Sequence, residues 1–178
     1  MEDLLFRQTD QLSVIIHLAR FVLDALDGGI VDSRTDGART PLISSTLLPD
    51  SQPRCKFTEL LLQKGASVNQ RDGNGRTALS HACEQGYLDA MKILVRNGAD
   101  PEIEDSWGNT ALMYAAATGH SSVVEFLVRA FKKLGLQMDR QNRAGNSAAD
   151  VAKFLGHSEC VSALTNVSSR TRELRGRW

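Results

Sequence analysis

What constrains this chain most is that it repeats itself. Arg76-Thr77-Ala78-Leu79-Ser80-His81-Ala82 has a near copy in Asn109-Thr110-Ala111-Leu112-Met113-Tyr114-Ala115, a shorter one in Arg39-Thr40-Pro41-Leu42 and a fainter one in Asn146-Ser147-Ala148-Ala149-Asp150-Val151-Ala152. The Thr or Ser falls at 40, 77, 110 and 147, in steps of 37, 33 and 37 residues. Two further markers keep phase: Gly86-Tyr87, Gly119-His120 and Gly156-His157, and Lys64-Gly65-Ala66 against Asn97-Gly98-Ala99. A period of this size means small supersecondary bricks that bury their apolar stripes only against neighbours. The 178 residues therefore read as four to five stacked units rather than one closed core.

Each unit reads as turn, helix, short loop, helix, turn. In the third, Asp72-Gly73-Asn74-Gly75 is a dense turn signal, and Thr77 stands where a hydroxyl can cap the first helix. Leu79, Ala82 and Cys83 recur at helical spacing and predict its buried face; Gly86 predicts its left-handed end. Leu88, Met91, Leu94 and Val95 predict the stripe of the second helix, with Gly98 ending it as Gly65 and Gly135 end theirs. The two longer steps predict two different insertions. Pro49 and Pro53 place the extra residues of the second unit, around Ser45 to Arg54, in a longer inter-helix loop. Ala130-Phe131-Lys132-Lys133 has no Gly or Pro, so the fourth unit's second helix is longer by one turn.

These spacings and motifs resemble the ankyrin repeat: three independent markers run in phase over roughly residues 35 to 165. The Leu18–Leu23 stretch and the Leu48-Pro49-Asp50 insertion further resemble a vertebrate ankyrin-repeat subfamily, a likeness that implies no biochemical activity. The fold class expected is all-α, an ankyrin-repeat solenoid of helix-turn-helix units joined by β-turn or hairpin loops. The domain expected is 1–165, with a degenerate N-terminal cap at 1–34 and repeats at 35–71, 72–104, 105–141 and 142–165. A basic tail follows at 166–178, where Arg170, Arg172, Arg175 and Arg177 face only Glu173.

Composition narrows function. Hydrophobic residues are 42% and charged residues 24%, ordinary for a folded soluble domain. Lys and Arg together number 21, as do Asp and Glu, and a zero net charge points away from a nucleic-acid surface. No apolar run reaches spanning length, and the acidic N-terminus does not read as a secretory signal, so no membrane partner is expected. Cys55, Cys83 and Cys160 are odd in number and widely spaced, which predicts neither disulfides nor zinc and suits the cytosol or nucleus. Cys55 is the expected exposed thiol.

No nucleophile elbow, Walker loop or H-E-x-x-H motif occurs. His120 and His157 occupy a repeat-defining phase and read as structural; His81 has no catalytic companion in sequence. The expectation is no enzyme, no cofactor, no metal and no small-molecule substrate, but a monomer that binds a protein partner.

The resemblance implies that partners meet the turn tips and first helices. Carried onto this chain, the positions are Arg39; Asn74, Arg76, Glu84 and Gln85; Ser106, Trp107, Asn109 and Thr118; and Arg143 and Asn146. Trp107 stands out, because a turn tip gains nothing from an indole, whereas Trp and Arg dominate interface energetics. Its alternative is a ring folded back over the neighbouring turn or an aliphatic stem. Phe154 and Leu155 either extend that surface or mark a face covered by the C-terminal tail, and the second is the favoured reading. Asn69 resembles ankyrin asparagines that undergo hydroxylation, although Ser67 stands where an acidic residue is usual. A second functional reading is a nuclear transcription regulator that uses the repeats for a protein and the Arg-rich tail for nucleic acid or acidic surfaces.

Overall fold

The structure is a computed structural model that describes residues 15, 19, 20, 32, 34 and 39–165. The cap expected at 1–34, those five residues' shares apart, and the tail at 166–178 lie outside the described residues. The helices are α1 (Pro41–Thr46), α2 (Ser51–Gln63), α3 (Ala78–Gln85), α4 (Leu88–Arg96), α5 (Ala111–Thr118), α6 (Ser121–Leu134) and α7 (Ala148–Phe154), with a further helical stretch at 158–165. Among the described residues there is no strand, only an isolated antiparallel bridge between Arg71 and Thr77. The all-α solenoid of helix pairs is what the repeats require. Two compact units divide the described residues: those up to Ala78 with Asp89–Asp100, and Leu79–Leu88 with those from Pro101 onward.

In the first unit Thr40 caps α1, its hydroxyl accepting from the Ile43 amide at 3.3 Å. Pro41 follows at a position whose amide has no helical partner in any case. Leu42, Ile43, Leu48 and Leu61 are buried as α1 packs on α2, and Ser45 and Thr58 satisfy each other's hydroxyls across that contact at 3.1 Å. The predicted long loop is a modest one: residues 47–50 join α1 to α2 where two residues join α3 to α4, and α1 is two residues shorter than α3. Ser51 thus stands as far from Thr40 as Leu88 does from Thr77, and the four extra residues lengthen α2 to 13 residues against nine in α4. Pro53 sits in the first turn of α2, where its missing N–H would have been unpartnered and no preceding helical carbonyl is there to clash. Both longer repeats thus place their insertion in the second helix.

The short segment ahead of α2 is held by a buried arginine. One guanidinium nitrogen of Arg54 donates to the carbonyls of Leu48 (2.6 Å) and Pro49 (2.8 Å); the rest of the group makes a fork with the Asp89 carboxylate at 3.2 and 2.8 Å. Ser51 also donates to Asp89. Partial burial alone would raise the Asp89 carboxyl, but hydrogen bonds from Arg54, Ser51 and the Ala90 amide outweigh it and hold it well below the usual carboxylate range. In α4, Met91 and Leu94 are buried as predicted, joined by Ala90 and Ile93, whereas Leu88 and Val95 are only half-buried.

In the second unit α5 packs on both α6 and α7. Thr110 takes the extended N-cap conformation of α5 but makes no capping hydrogen bond; Ser147 makes a complete capping box with Asp150 at α7. The helix α6 continues without a break through the expected extra turn to Leu134, burying Phe131, and ends at left-handed Gly135. The Gly-His pairs explain themselves. The His120 ring bonds the Glu84 carbonyl at the end of α3 through Nε2 (3.0 Å), and the His157 ring likewise bonds the Ala117 carbonyl of α5. A Cβ added to the preceding repeat's glycine would meet the ring at 2.6 Å for Gly86 and 2.7 Å for Gly119, both at positive φ. Glycine is needed there twice over, for the left-handed turn and for the space the imidazole fills.

Candidate functional site

The turns between repeats are built by one recurring device. Asp72 Oδ1 accepts from the Asn74 and Arg76 amides, Asp105 Oδ1 from those of Trp107 and Asn109, and Asn142 Oδ1 from those of Ala144 and Asn146, all at 2.9–3.0 Å. The amide of each of these residues returns to the carbonyl four residues on: Arg76 (2.8 Å), Asn109 (3.0 Å) and Asn146 (3.0 Å). An Asx side chain thus folds the turn inward and leaves the two residues after it at the tip. Asp72 and Asp105 are buried, and Asp105 also takes the Tyr114 hydroxyl on its second oxygen.

At the tip of the fourth repeat Trp107 is 54% exposed. Its amide and carbonyl are both used, the carbonyl accepting from the Arg143 amide at 3.0 Å, so the two neighbouring tips are zipped along their backbones. A Cβ on Gly108 would lie 3.2 Å from Arg143 Cγ and 2.9 Å from its amide, which is why the second tip can come so close only beside glycine. The zipper continues in Asn142, whose Nδ2 donates to Asn109 Oδ1 at 2.8 Å; a carboxylate at 142 could accept but not donate. Neither the indole N–H nor the Arg143 guanidinium has a hydrogen-bond acceptor among the described residues.

Of the other positions, Arg39, Asn74, Gln85, Ser106, Thr118 and Asn146 are exposed, and Arg76 and Glu84 are half-buried. Asn109 is half-buried with its side chain engaged by Asn142, and Thr118 turns its hydroxyl back onto the Tyr114 carbonyl. Phe154 is 90% exposed and Leu155 47%; the tail at 166–178, expected to cover them, lies outside the described residues. Asn69 is exposed, but its side-chain oxygen accepts from the Asp100 amide (2.9 Å) and its amide reaches the Gly98 carbonyl (3.4 Å). Ser67, its neighbour, is held by the Asp32 carboxylate through both amide and hydroxyl.

Cys55 is the most open of the three thiols, as expected, yet half-buried rather than fully exposed; it lies 3.5 Å from an Asp89 oxygen, and burial together with that carboxylate pushes its pKa up. Burial pushes Cys83 up strongly, and burial with Glu159 raises Cys160. Among the described residues no group of His, Cys, Asp and Glu could hold a metal ion, and no helix is long and apolar enough to cross a membrane. An open groove of about 620 Å³ lies between α6 and the stretch 158–165, lined by Glu125, Arg129 and Lys132 on one side and Ser158, Glu159 and Ser162 on the other.

The recurrent Asx turn, paired helices and glycine-seated histidines define a class that the family comparison names. The ankyrin-repeat model matches three times, over residues 16–105, 50–142 and 97–172, and the chain belongs to the ankyrin-repeat family. Such repeats form a protein–protein interaction module. The chain is 57% identical over 150 residues to Ankyrin repeat domain-containing protein 63 of Homo sapiens, and to the same extent to that of Mus musculus. The match covers 84% of this chain but 40% and 38% of those relatives, so the chain spans less than half of their length.

Proposed function

We propose that this chain is a non-enzymatic adaptor, scaffold or regulator that grips a protein segment on the surface formed by its turn tips and first helices. Trp107 carries the reading. Its turn is closed by hydrogen bonds from Asp105 and the backbone without the indole N–H, and the residue is 54% exposed at the tip. A large aromatic with a free N–H on a fixed support is the kind of side chain that anchors interfaces. Ser106, Asn109, Thr118, Arg143 and Asn146, with Glu84 and Gln85, offer polar contacts in the same compact unit, and Arg39, Asn74 and Arg76 offer theirs in the other.

The test is proximity labelling and pull-down with wild type and Trp107→Ala side by side. An anchoring indole predicts loss of the partner, with affinity reduced by about 2 kcal/mol, roughly thirtyfold, and an unchanged helical circular dichroism spectrum. Equal capture by both proteins would refute it. The nuclear alternative rests on the four arginines of 166–178, and it requires binding that falls steeply with salt and loses that dependence when 166–178 is deleted.

A further inference from the structure

We infer that the paired tips carrying Trp107 and Arg143 recognise an acidic segment of extended polypeptide, a carboxylate side chain meeting Arg143 beside an apolar residue laid on Trp107. The inference rests on the interaction-module reading and specifies its partner. Charge placement carries it. The two acidic-type positions of these tips are removed from the surface: Asp105 is buried under three donors, and the equivalent residue in the next repeat is Asn142, which has no charge and is engaged by Asn109. The carboxylates at the stem, Glu102 and Glu104, are already faced by Arg140 at 3.7 and 3.8 Å. The one charged group and the one aromatic that project from these tips are both donors, a guanidinium and an indole N–H, neither with an acceptor among the described residues.

A guanidinium is the side chain best matched to a carboxylate fork, and an adjacent indole face adds apolar contact. The backbone bond from the Arg143 amide to the Trp107 carbonyl holds the two tips together, so the pair is preorganised.

The experiment is selection of random 12-residue peptides displayed on phage against the wild-type chain. Affinity of the selected peptides is then measured for wild type, Trp107→Ala, Arg143→Ala and Arg143→Glu. All three substitutions are at exposed side chains, and unaltered thermal melts confirm intact folding. The inference predicts peptides enriched in Asp or Glu next to Phe, Leu or Trp. It predicts at least tenfold weaker binding for each alanine variant and a greater loss for Arg143→Glu, with affinity falling as salt rises. Peptides without acidic residues, or acidic peptides indifferent to Arg143→Glu, overturn it while leaving the interaction-module reading in place. Failure to select any peptide counts against both. An oligothymidine that binds wild type and loses binding with Arg143→Glu, where no peptide does, also overturns it, since the tips then take a nucleic-acid anion.

Discussion

Asp89→Ala tests how the segment between α1 and α2 is held. The Arg54 side chain is 6% exposed and its partner carboxylate 30%. Breaking a buried pair by deleting one member typically costs about 3–5 kcal/mol, because the survivor is left charged in a poor solvent. Here Arg54 keeps the Leu48 and Pro49 carbonyls, and water reaches the Asp89 side, so about 2–3 kcal/mol is expected. Loss of a carboxylate from the first turn of α4 adds about 0.5 kcal/mol. Equilibrium urea unfolding at pH 7 should show the loss as a lower midpoint. The double variant Arg54→Met, Asp89→Leu should recover at least half of it, since neither charge then remains stranded.

The pH dependence has a fixed sign. Because the folded carboxyl is depressed, its stabilisation is present above the unfolded value of about 4 and fades as pH falls toward the folded one. Wild type and Asp89→Ala should therefore converge in acid. A double variant whose cost equals the sum of its singles, or a gap that widens below pH 4, would refute the pairing.

Gly86→Ala should destabilise by about 2 kcal/mol or more, since its Cβ meets the His120 ring at 2.6 Å in a backbone region alanine avoids; His120→Ala should relieve part of that cost in a double-mutant cycle. Asp105→Ala, which strands two turn amides and the Tyr114 hydroxyl, should cost about 2–4 kcal/mol by thermal melting, and Asp105→Asn clearly less, because Asn142 already runs the same turn with an amide. With a thiol-reactive disulfide at pH 8, Cys55 should label before Cys83 and Cys160, yet more slowly than a free cysteine, because its thiol is raised by burial and by Asp89. Labelling of Cys83 in the folded protein at the rate of Cys55 would contradict its burial.

What was legible in sequence was what is local or periodic. The Thr and Ser phase, the helix-ending glycines and the extra turn of α6 need only neighbouring residues, and each reading matches the backbone. The structural role of His120 and His157 was legible from phase alone, although the bond each makes to the preceding repeat was not. The second repeat misled because proline was read as a breaker wherever it stood. Pro53 falls in a first turn, where the rule does not apply, and the boundary depended on knowing that α2 begins at Ser51. Arg54 and Asp89 lie 35 residues apart with no motif between them, so their pairing was beyond sequence reasoning, as was the assignment of Cys55 to the same pocket. At the tips, the exposure of Trp107 was foreseeable from turn chemistry. The zipping of Arg143 to it was not, because a backbone contact between repeats leaves no mark on residue type.

In the proposed function, binding is carried by the tips rather than by α6 and the stretch 158–165. Amide hydrogen exchange on the wild-type chain, free and with a selected acidic peptide bound, tests it directly. Slowed exchange at 105–109 and 142–146, with 125–132 and 158–163 unchanged, is the predicted result. Protection confined to 125–132 and 158–163, the walls of the open groove, would place the partner on the opposite chemistry and contradict the account.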